Sequence, residues 1–187
     1  YTYNMLGRQT SVNYIDPSGK NNPIVTDTTW NSWGGLTGMR YANGVQMCNT
    51  YTTTSDLGAM APKLQSSSYI FNTTGCDMSK EPNSIKLYSD TLSYPDSYSP
   101  KSITSNIKDL AGVSHTYNQN FAYDGLGRLT AAIAQYDGLA TSSSAWTYDA
   151  IGNMTSENGI KYNYSTDGYQ NPNAVTAIGD IHLAYDA

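Results

Sequence analysis

The chain has 187 residues, a formal net charge of −5 and only 13% charged residues, so hydroxyl and amide groups must supply most of its polar surface. The ten basic residues are scattered along the chain and form no basic patch, which argues against nucleic acid as a partner. No apolar run approaches the ~20 residues that cross a bilayer, so no membrane span is predicted.

The first 45 residues are repeat-like. Tyr3-Asn4 and Gly7-Arg8 form a loose copy of an element that returns later, and Asp16-Pro17-Ser18-Gly19 has the composition of a turn. Asn43-Gly44 is a dipeptide typical of tight hairpins. This part of the chain is therefore predicted to consist of β-hairpins.

Two tryptophans in this part, Trp30 and Trp33, lie close together beside Gly34 and Gly35. Two interpretations are open. The indole rings could form a buried hydrophobic plug, or they could contact carbohydrate, because an indole offers a large flat apolar face with a polar N–H.

Residues 46–115 match the repeat least. Four of the seven prolines fall here, and proline interrupts central strands, so we interpret the region as degenerate repeats that carry a long loop. Within it, residues 101–113 fit either a short helix or a strand in which Ile103, Ser105 and Ile107 alternate with their neighbours.

The only cysteines, Cys48 and Cys76, also lie in this region. They form either a disulfide or two independent buried thiols, and the sequence does not decide, because a bridge requires Cα atoms within about 7 Å. Two cysteines and the distant His115 and His182 lack the spacing of a metal site. No metal and no cofactor are therefore predicted.

Residues 116–187 contain the regular repeats. The pattern Tyr-Asp-x-x-Gly-Arg-Leu-Thr at 123–130 returns as Tyr-Asp-x-x-Gly-Asn-Met-Thr at 148–155. The aspartate suits the first position of a type I turn, and the glycine suits the left-handed conformation that closes it. Each unit is predicted to be one β-hairpin, and Asp137-Gly138, Asn158-Gly159 and Gly179-Asp180 predict further tight turns. The predicted repeat-turn residues are Tyr3, Asn4, Gly7, Arg8, Tyr123, Asp124, Gly127, Arg128, Tyr148, Asp149, Gly152 and Asn153.

No arrangement typical of an active site stands out. Asp124 and Asp149 recur at the same place in each repeat, which a turn requires and a unique active site does not. The sequence has no Gly-x-Ser-x-Gly elbow, no phosphate-binding loop and no dinucleotide fingerprint. We therefore expect no catalytic residues and no enzymatic activity.

The two full copies of the pattern, together with Arg40-Tyr41-Ala42-Asn43-Gly44 upstream, resemble the YD repeats of the RHS family. That family includes bacterial polymorphic toxins, the shell component of insecticidal toxin complexes and the animal teneurins. The resemblance implies an all-β fold, in which antiparallel hairpins form a curved strip of a spiralling shell. It also implies a structural role in a secreted or surface protein that encapsulates or displays a toxin or other C-terminal payload.

The repeats begin almost at residue 1, and Tyr185-Asp186-Ala187 starts a fourth copy, so we expect the chain to be a segment of a longer protein. The expected partners are flanking parts of the same shell, or copies of the chain itself, bound through open sheet edges. The alternative function is an extracellular carbohydrate-binding or adhesion module that uses Trp30 and Trp33.

Overall fold

The computed structural model describes residues 1–52, 62–71, 73, 75–77, 83–94, 99–164 and 171–185. Asp186 and Ala187, which follow Tyr185 in the fourth predicted copy of the repeat, lie outside these residues. Within the described ranges the chain forms fifteen β-strands and no helix. The predicted all-β class is therefore confirmed.

Each strand pairs antiparallel with the next strand in sequence, so the strands form one sheet in the order β1 to β15. The strands are β1 (Thr2–Tyr3), β2 (Gln9–Ile15), β3 (Asn21–Trp30), β4 (Leu36–Tyr41), β5 (Val45–Tyr51), β6 (Leu64–Phe71), β7 (Ile85–Ser93), β8 (Ser102–Lys108), β9 (Ser114–Tyr123), β10 (Leu129–Tyr136), β11 (Leu139–Tyr148), β12 (Met154–Glu157), β13 (Ile160–Asn163), β14 (Ala177–Ile178) and β15 (Ile181–His182).

Tight turns set this order. Asp137-Gly138 and Asn158-Gly159 each place two successive residues at positive φ, as the two-residue hairpin turn with matching twist requires. The ambiguous segment 101–113 contains strand β8 followed by a turn at 109–113, so the strand interpretation is right and the helix interpretation is wrong.

The alternation of strand direction divides the turns into two rows. Turns that follow odd-numbered strands lie along one border of the sheet, which we call the repeat rim. Turns that follow even-numbered strands lie along the other border, the opposite rim. The turns at 4–8, 31–35, 124–128 and 149–153 belong to the repeat rim, whereas those at 16–20 and 109–113 belong to the opposite rim.

Burial is sparse, as a single layer of strands requires. Among the described residues, the buried apolar side chains are Val25, Met47, Cys48, Ile70, Ala134 and Ala177. The chain exposes 12231 Å² of accessible surface, whereas a compact monomer of this mass is expected to expose about 8,800 Å². The sheet is therefore open and leaves much of both faces to solvent.

A disulfide joins β5 to the segment that follows β6. Cys48 and Cys76 are bonded, with their Cα atoms 5.6 Å apart. Cys48 lies in the part of the sheet where burial is densest, beside the buried Met47. The bridge fixes residues 75–77 to the sheet.

Candidate functional site

One turn geometry is built around Asp124. Its Oδ1 accepts the backbone N–H groups of Leu126 at 2.9 Å and Arg128 at 3.0 Å. Its own N–H donates to the Arg128 carbonyl at 2.9 Å, and Gly127 closes the turn with a φ of 77°. The N–H of Arg128 and the guanidinium together hold the pKa of Asp124 below its usual value.

Within the described ranges, the same turn occurs at five further places. In each, an Asn or Asp side-chain oxygen accepts the N–H of the fourth residue along, and the glycine before that residue has a positive φ. The first residues of these turns are Asn4, Asp16, Asn31, Asp109 and Asp149. The amide of asparagine replaces the carboxylate because it offers the same acceptor oxygen.

An aromatic residue stands at the end of every odd-numbered strand or within three residues after it, at the repeat rim. Six of these rings donate a hydrogen bond to a backbone carbonyl at or near the start of the preceding strand. For example, the Tyr148 hydroxyl donates to the Leu129 carbonyl at 2.8 Å, and Tyr51 donates to Leu36 at 2.9 Å. The eight rim aromatics are Tyr3, Trp30, Tyr51, Tyr94, Tyr123, Tyr148, Tyr164 and Tyr185.

Cationic side chains form a second link between neighbouring rim turns. Arg128 lies over the Tyr148 ring, 4.7 Å from its centroid, and donates to the Asp149 carbonyl at 2.9 Å. Arg8 lies over the Trp30 ring at 5.9 Å and donates to the Asn31 carbonyl at 3.0 Å.

Two variants of this second link occur elsewhere on the rim. Lys63 lies over the Tyr94 ring at 5.0 Å. Asn153 donates from Nδ2 to the Pro172 carbonyl at 2.7 Å. Hydrogen bonds from the rim aromatics, and contacts of the side chains that follow the turns, therefore connect neighbouring hairpins.

The structure also shows two repeats that the sequence analysis missed. Trp30-Asn31 occupies the Tyr-Asp position of a turn closed by Gly34, and the Trp30 Nε1 donates to the Gln9 carbonyl at 3.3 Å. The available signal was the spacing of Asn31, Gly34 and Leu36-Thr37, which equals that of the regular copies, although Trp30, Asn31 and Gly35 replace the Tyr, Asp and Arg of the first regular copy.

The second missed repeat begins at Tyr51-Thr52. Residues 53–62 separate Thr52 from Lys63, which makes the hydrogen bonds that the fourth residue along makes in the other turns. The Lys63 N–H donates to the Thr52 Oγ1 at 2.9 Å, and the Thr52 N–H donates to the Lys63 carbonyl at 2.8 Å. An insertion of this length hides the repeat from any search at fixed spacing.

The two tryptophans of the carbohydrate hypothesis have different surroundings. Trp30 is half-buried, its N–H is bonded and Arg8 covers one face of its ring. Trp33 lies in the turn itself, and 63% of its surface is exposed. Trp30 therefore belongs to the links between repeats, and Trp33 is the ring that remains open to a ligand.

On the opposite rim, His115 joins two turns. Its Nδ1 lies 2.7 Å from the Asp137 carboxylate, its Nε2 lies 3.3 Å from that of Asp109, and its ring stacks on Tyr136. The hydrogen bonds to Asp137 and Asp109 raise the pKa of His115 above 6.5. This bridge was not predicted from the sequence, in which His115 has neither the spacing of a metal site nor the setting of a catalytic residue.

The sheet ends in two strands that each have one neighbour. Within the described ranges, β1 pairs with β2 alone and β15 with β14 alone. Unpaired strand edges expose N–H and C=O groups that can accept another strand. The described part of the chain has no helix with the length and apolar character needed to cross a bilayer.

Comparisons with known proteins gave the following matches. No model of a protein family matches the chain, and no curated protein sequence matches it. Among solved structures, it is similar to part of the Photorhabdus luminescens Tc holotoxin pore, with a TM-score of 0.39 and 12% identity over 89% of this chain. It is also similar to part of a TcdB2–TccC3 structure that lacks the hypervariable C-terminal region, with a TM-score of 0.27 and 15% identity over 84% of this chain. The chain spans 10% of the length of each matched chain.

Proposed function

We propose that the chain is a structural segment in the wall of a larger RHS-type shell, and that it has no enzymatic activity. The observation that carries the proposal is the series of links along the repeat rim, in which one hairpin is bonded to the next by the same donors and acceptors. Links that recur in this way from hairpin to hairpin stabilise a continuous sheet, as nearest-neighbour contacts do in other repeat proteins.

The surface of the sheet supports a role in a larger assembly. With 12231 Å² exposed and few buried apolar residues, the isolated segment gains little from burial. Further strands on its edges would add backbone hydrogen bonds and cover exposed side chains. We therefore propose that flanking parts of the same shell, or copies of the chain, are its partners.

The disulfide supports a secreted or surface location. Bonds such as Cys48–Cys76 form and persist in oxidising compartments and are rare in the cytosol. The enclosed or displayed toxin payload is the part of the proposal that rests on the resemblance of the repeat motif to the RHS family.

Small-angle X-ray scattering combined with light scattering on the 187-residue chain tests the proposal. Fifteen strands at about 4.8 Å spacing form a strip about 67 Å across, so we expect an extended or self-associating particle. A compact monomer with a radius of gyration near 16 Å would contradict the wall segment and favour an autonomous module.

The carbohydrate alternative now depends on Trp33, because its ring is the exposed one. Retention of the chain on an immobilised polysaccharide, abolished by Trp33→Ala, would support that alternative. Tyr14→Ala, which removes another exposed ring, is the matched control. No retention, or retention that Trp33→Ala leaves unchanged, would exclude a tryptophan-based sugar site.

A further inference from the structure

Two of the eight rim aromatics, Tyr3 and Tyr94, donate no hydrogen bond within the described ranges; Lys63 covers the Tyr94 ring, whereas no cation covers Tyr3. Six of the eight rings donate to a carbonyl of the preceding strand, but no residue in the described ranges accepts a hydrogen bond from the Tyr3 hydroxyl. The side chain is 61% exposed. The reason is positional, because β1 is the edge strand and has no preceding strand.

The backbone carbonyl of Asn4, next to Tyr3, is the second group at this edge that lacks, among the described residues, the partner found in interior repeats. In two interior repeats, an arginine that follows the preceding rim turn donates to the equivalent carbonyl, at Asn31 and at Asp149. The Asn4 carbonyl accepts the Gly7 N–H at 2.9 Å, and no arginine in the described ranges reaches it. Tyr3 and Asn4 thus present a hydroxyl donor and a carbonyl acceptor, respectively, which the interior repeats use to bind a neighbouring hairpin.

We propose that the β1 edge is a docking site for a β-hairpin whose turn ends in Gly-Arg, paired antiparallel to β1. The interior junction between β10 and β11 shows how it would bind. The arginine of the partner covers the Tyr3 ring and donates to the Asn4 carbonyl, as Arg128 does at Tyr148 and Asp149. The backbone carbonyl of the next residue accepts the Tyr3 hydroxyl, as Leu129 does for Tyr148.

Strand direction supports this partner over an unmodified head-to-tail copy. β1 and β15 are both odd-numbered strands and run the same way, so β15 of a second copy would meet β1 in parallel. The interior links are made between antiparallel strands. The required strand is therefore one that begins at the repeat rim, as even-numbered strands do. This inference rests on the proposed function, since it names the partner of an edge that a wall segment would extend.

The chain itself supplies a probe for the test. Residues 114–145 contain the β9–β10 hairpin and the start of β11, and Trp146-Thr147-Tyr148 corresponds to Tyr1-Thr2-Tyr3. Joining a copy of residues 114–145 to Tyr1 therefore places a Gly-Arg hairpin next to β1 in the interior register. The readout is hydrogen exchange at the Thr2 and Tyr3 amides, measured by NMR.

We expect these amides to exchange more slowly in the extended chain than in the original chain. Tyr3→Phe, or Arg128→Ala in the added copy alone, should then speed exchange about fivefold, as the loss of one net hydrogen bond predicts. Tyr3→Phe should have no effect in the original chain. Tyr1→Phe, which removes a tyrosine hydroxyl just before the same strand, is the matched control.

Two outcomes would overturn the inference. Slower exchange that neither Tyr3→Phe nor Arg128→Ala alters would show that the edge accepts strands without these links, and it would leave the proposed function intact. Unchanged exchange would show that the edge rejects the hairpin, and scattering on the original chain would then decide the proposed function separately.

A second measurement covers the case in which the extended chain does not fold. A peptide of residues 114–136 is titrated into the original chain, and the amide signals of Thr2, Tyr3 and Asn4 are followed. We expect these signals to shift with this peptide and not with its Arg128→Ala variant. Equal shifts with both peptides, or none with either, would contradict the proposed docking.

Discussion

At the scale of single residues, the repeat depends on two chemical properties, an acceptor oxygen at the first turn position and a left-handed backbone three residues later. Asn and Asp both meet the first requirement, as Asn31 and Asp124 show. Glycine meets the second because it lacks the Cβ that clashes at positive φ. The aromatic residue before the turn can vary, since Trp30 donates where tyrosine donates elsewhere.

A comparison of Gly127 with Gly125 distinguishes the effect of backbone conformation from that of steric room for a Cβ atom. A Cβ at either position would contact nothing within 4 Å, but only Gly127 has a positive φ, of 77°. We expect Gly127→Ala to lower the free energy of unfolding by about 1–2 kcal/mol, because the left-handed conformation strains an L-residue. Gly125→Ala is the matched control and should change it by less than about 0.5 kcal/mol. Urea denaturation measures both, and equal effects would refute the explanation.

At the scale of elements, links between turns and loops stabilise the sheet where burial does not. On the repeat rim, aromatic and cationic side chains connect neighbouring hairpins. On the opposite rim, His115 bridges two turns. At β5, the Cys48–Cys76 disulfide connects the strand to the segment that follows β6. Each link joins segments that are separated by one or more strands. The elements should therefore lose stability locally when one link is removed.

The His115 bridge predicts a dependence on pH. The pKa of His115 is raised, first by Asp137 and then by Asp109, so its contribution to stability is complete below pH 6.5 and is lost as the pH rises through the folded-state pKa. The pKa values of Asp109 and Asp137 are lowered, so their contribution is lost as the pH falls below 3.8 and through their folded-state values. Among the described residues, the charged groups bonded to the ring are Asp109 and Asp137, and Tyr136 stacks on it.

An NMR titration of the His115 ring tests this prediction. We expect a midpoint above 6.5 that falls towards 6.5 in Asp137→Asn, because the charge-assisted hydrogen bond is lost. Asp180→Asn makes the same change in another two-residue turn of the opposite rim and should leave the His115 midpoint unchanged. A midpoint at or below 6.5 in the unmodified chain would contradict the bridge.

Removal of the Cys48–Cys76 disulfide is expected to lower the stability of the folded chain. Cys48 and Cys76 are separated by 28 positions, and closing a loop of that length reduces the entropy of the unfolded chain. The chain-entropy relation gives about 3.5 kcal/mol for the bond. We expect the Cys48→Ala, Cys76→Ala double variant to unfold at a lower denaturant concentration, and the reduced original chain to behave in the same way. An unchanged midpoint would show that the bond does not stabilise the sheet.

At the scale of the whole molecule, the sheet is open at both ends, and its two edge strands run in the same direction. Two copies that keep the same sheet face on the same side can therefore continue the antiparallel order only when an edge meets the same edge of its partner around a two-fold axis. We expect the isolated chain to form dimers before larger species as its concentration rises.

Sedimentation velocity of charged-edge variants tests this expectation. Lysine on an edge strand disfavours pairing with another strand, so Tyr1→Lys combined with Ile181→Lys should shift the chain towards monomer. Leu110→Lys combined with Leu126→Lys adds the same charge at exposed turn positions away from the edges and should not. A chain that stays monomeric at high concentration would contradict edge association.

The sequence predicts the local structure of this protein better than the links between its hairpins. Gly-containing turns such as Asn158-Gly159 place strand boundaries correctly, because their backbone conformation depends on neighbours in sequence. The carbonyls that accept hydrogen bonds from Arg8 and Arg128 across the hairpins lie more than twenty residues away, so no local pattern identifies these acceptors. The repeat at Thr52 and Lys63 was missed because an insertion separates two residues that are otherwise four positions apart.

That insertion shows where such a protein can change its length. The two hydrogen bonds between Thr52 and Lys63 close the ends of the hairpin whatever stands between them. Because the entropic cost of a longer flexible loop grows by only about 0.6 kcal/mol per doubling, guest segments can be exchanged here while the strands keep their pairing. Rim turns clamped in this way are therefore natural acceptor positions for new sequence, in evolution and in protein engineering alike.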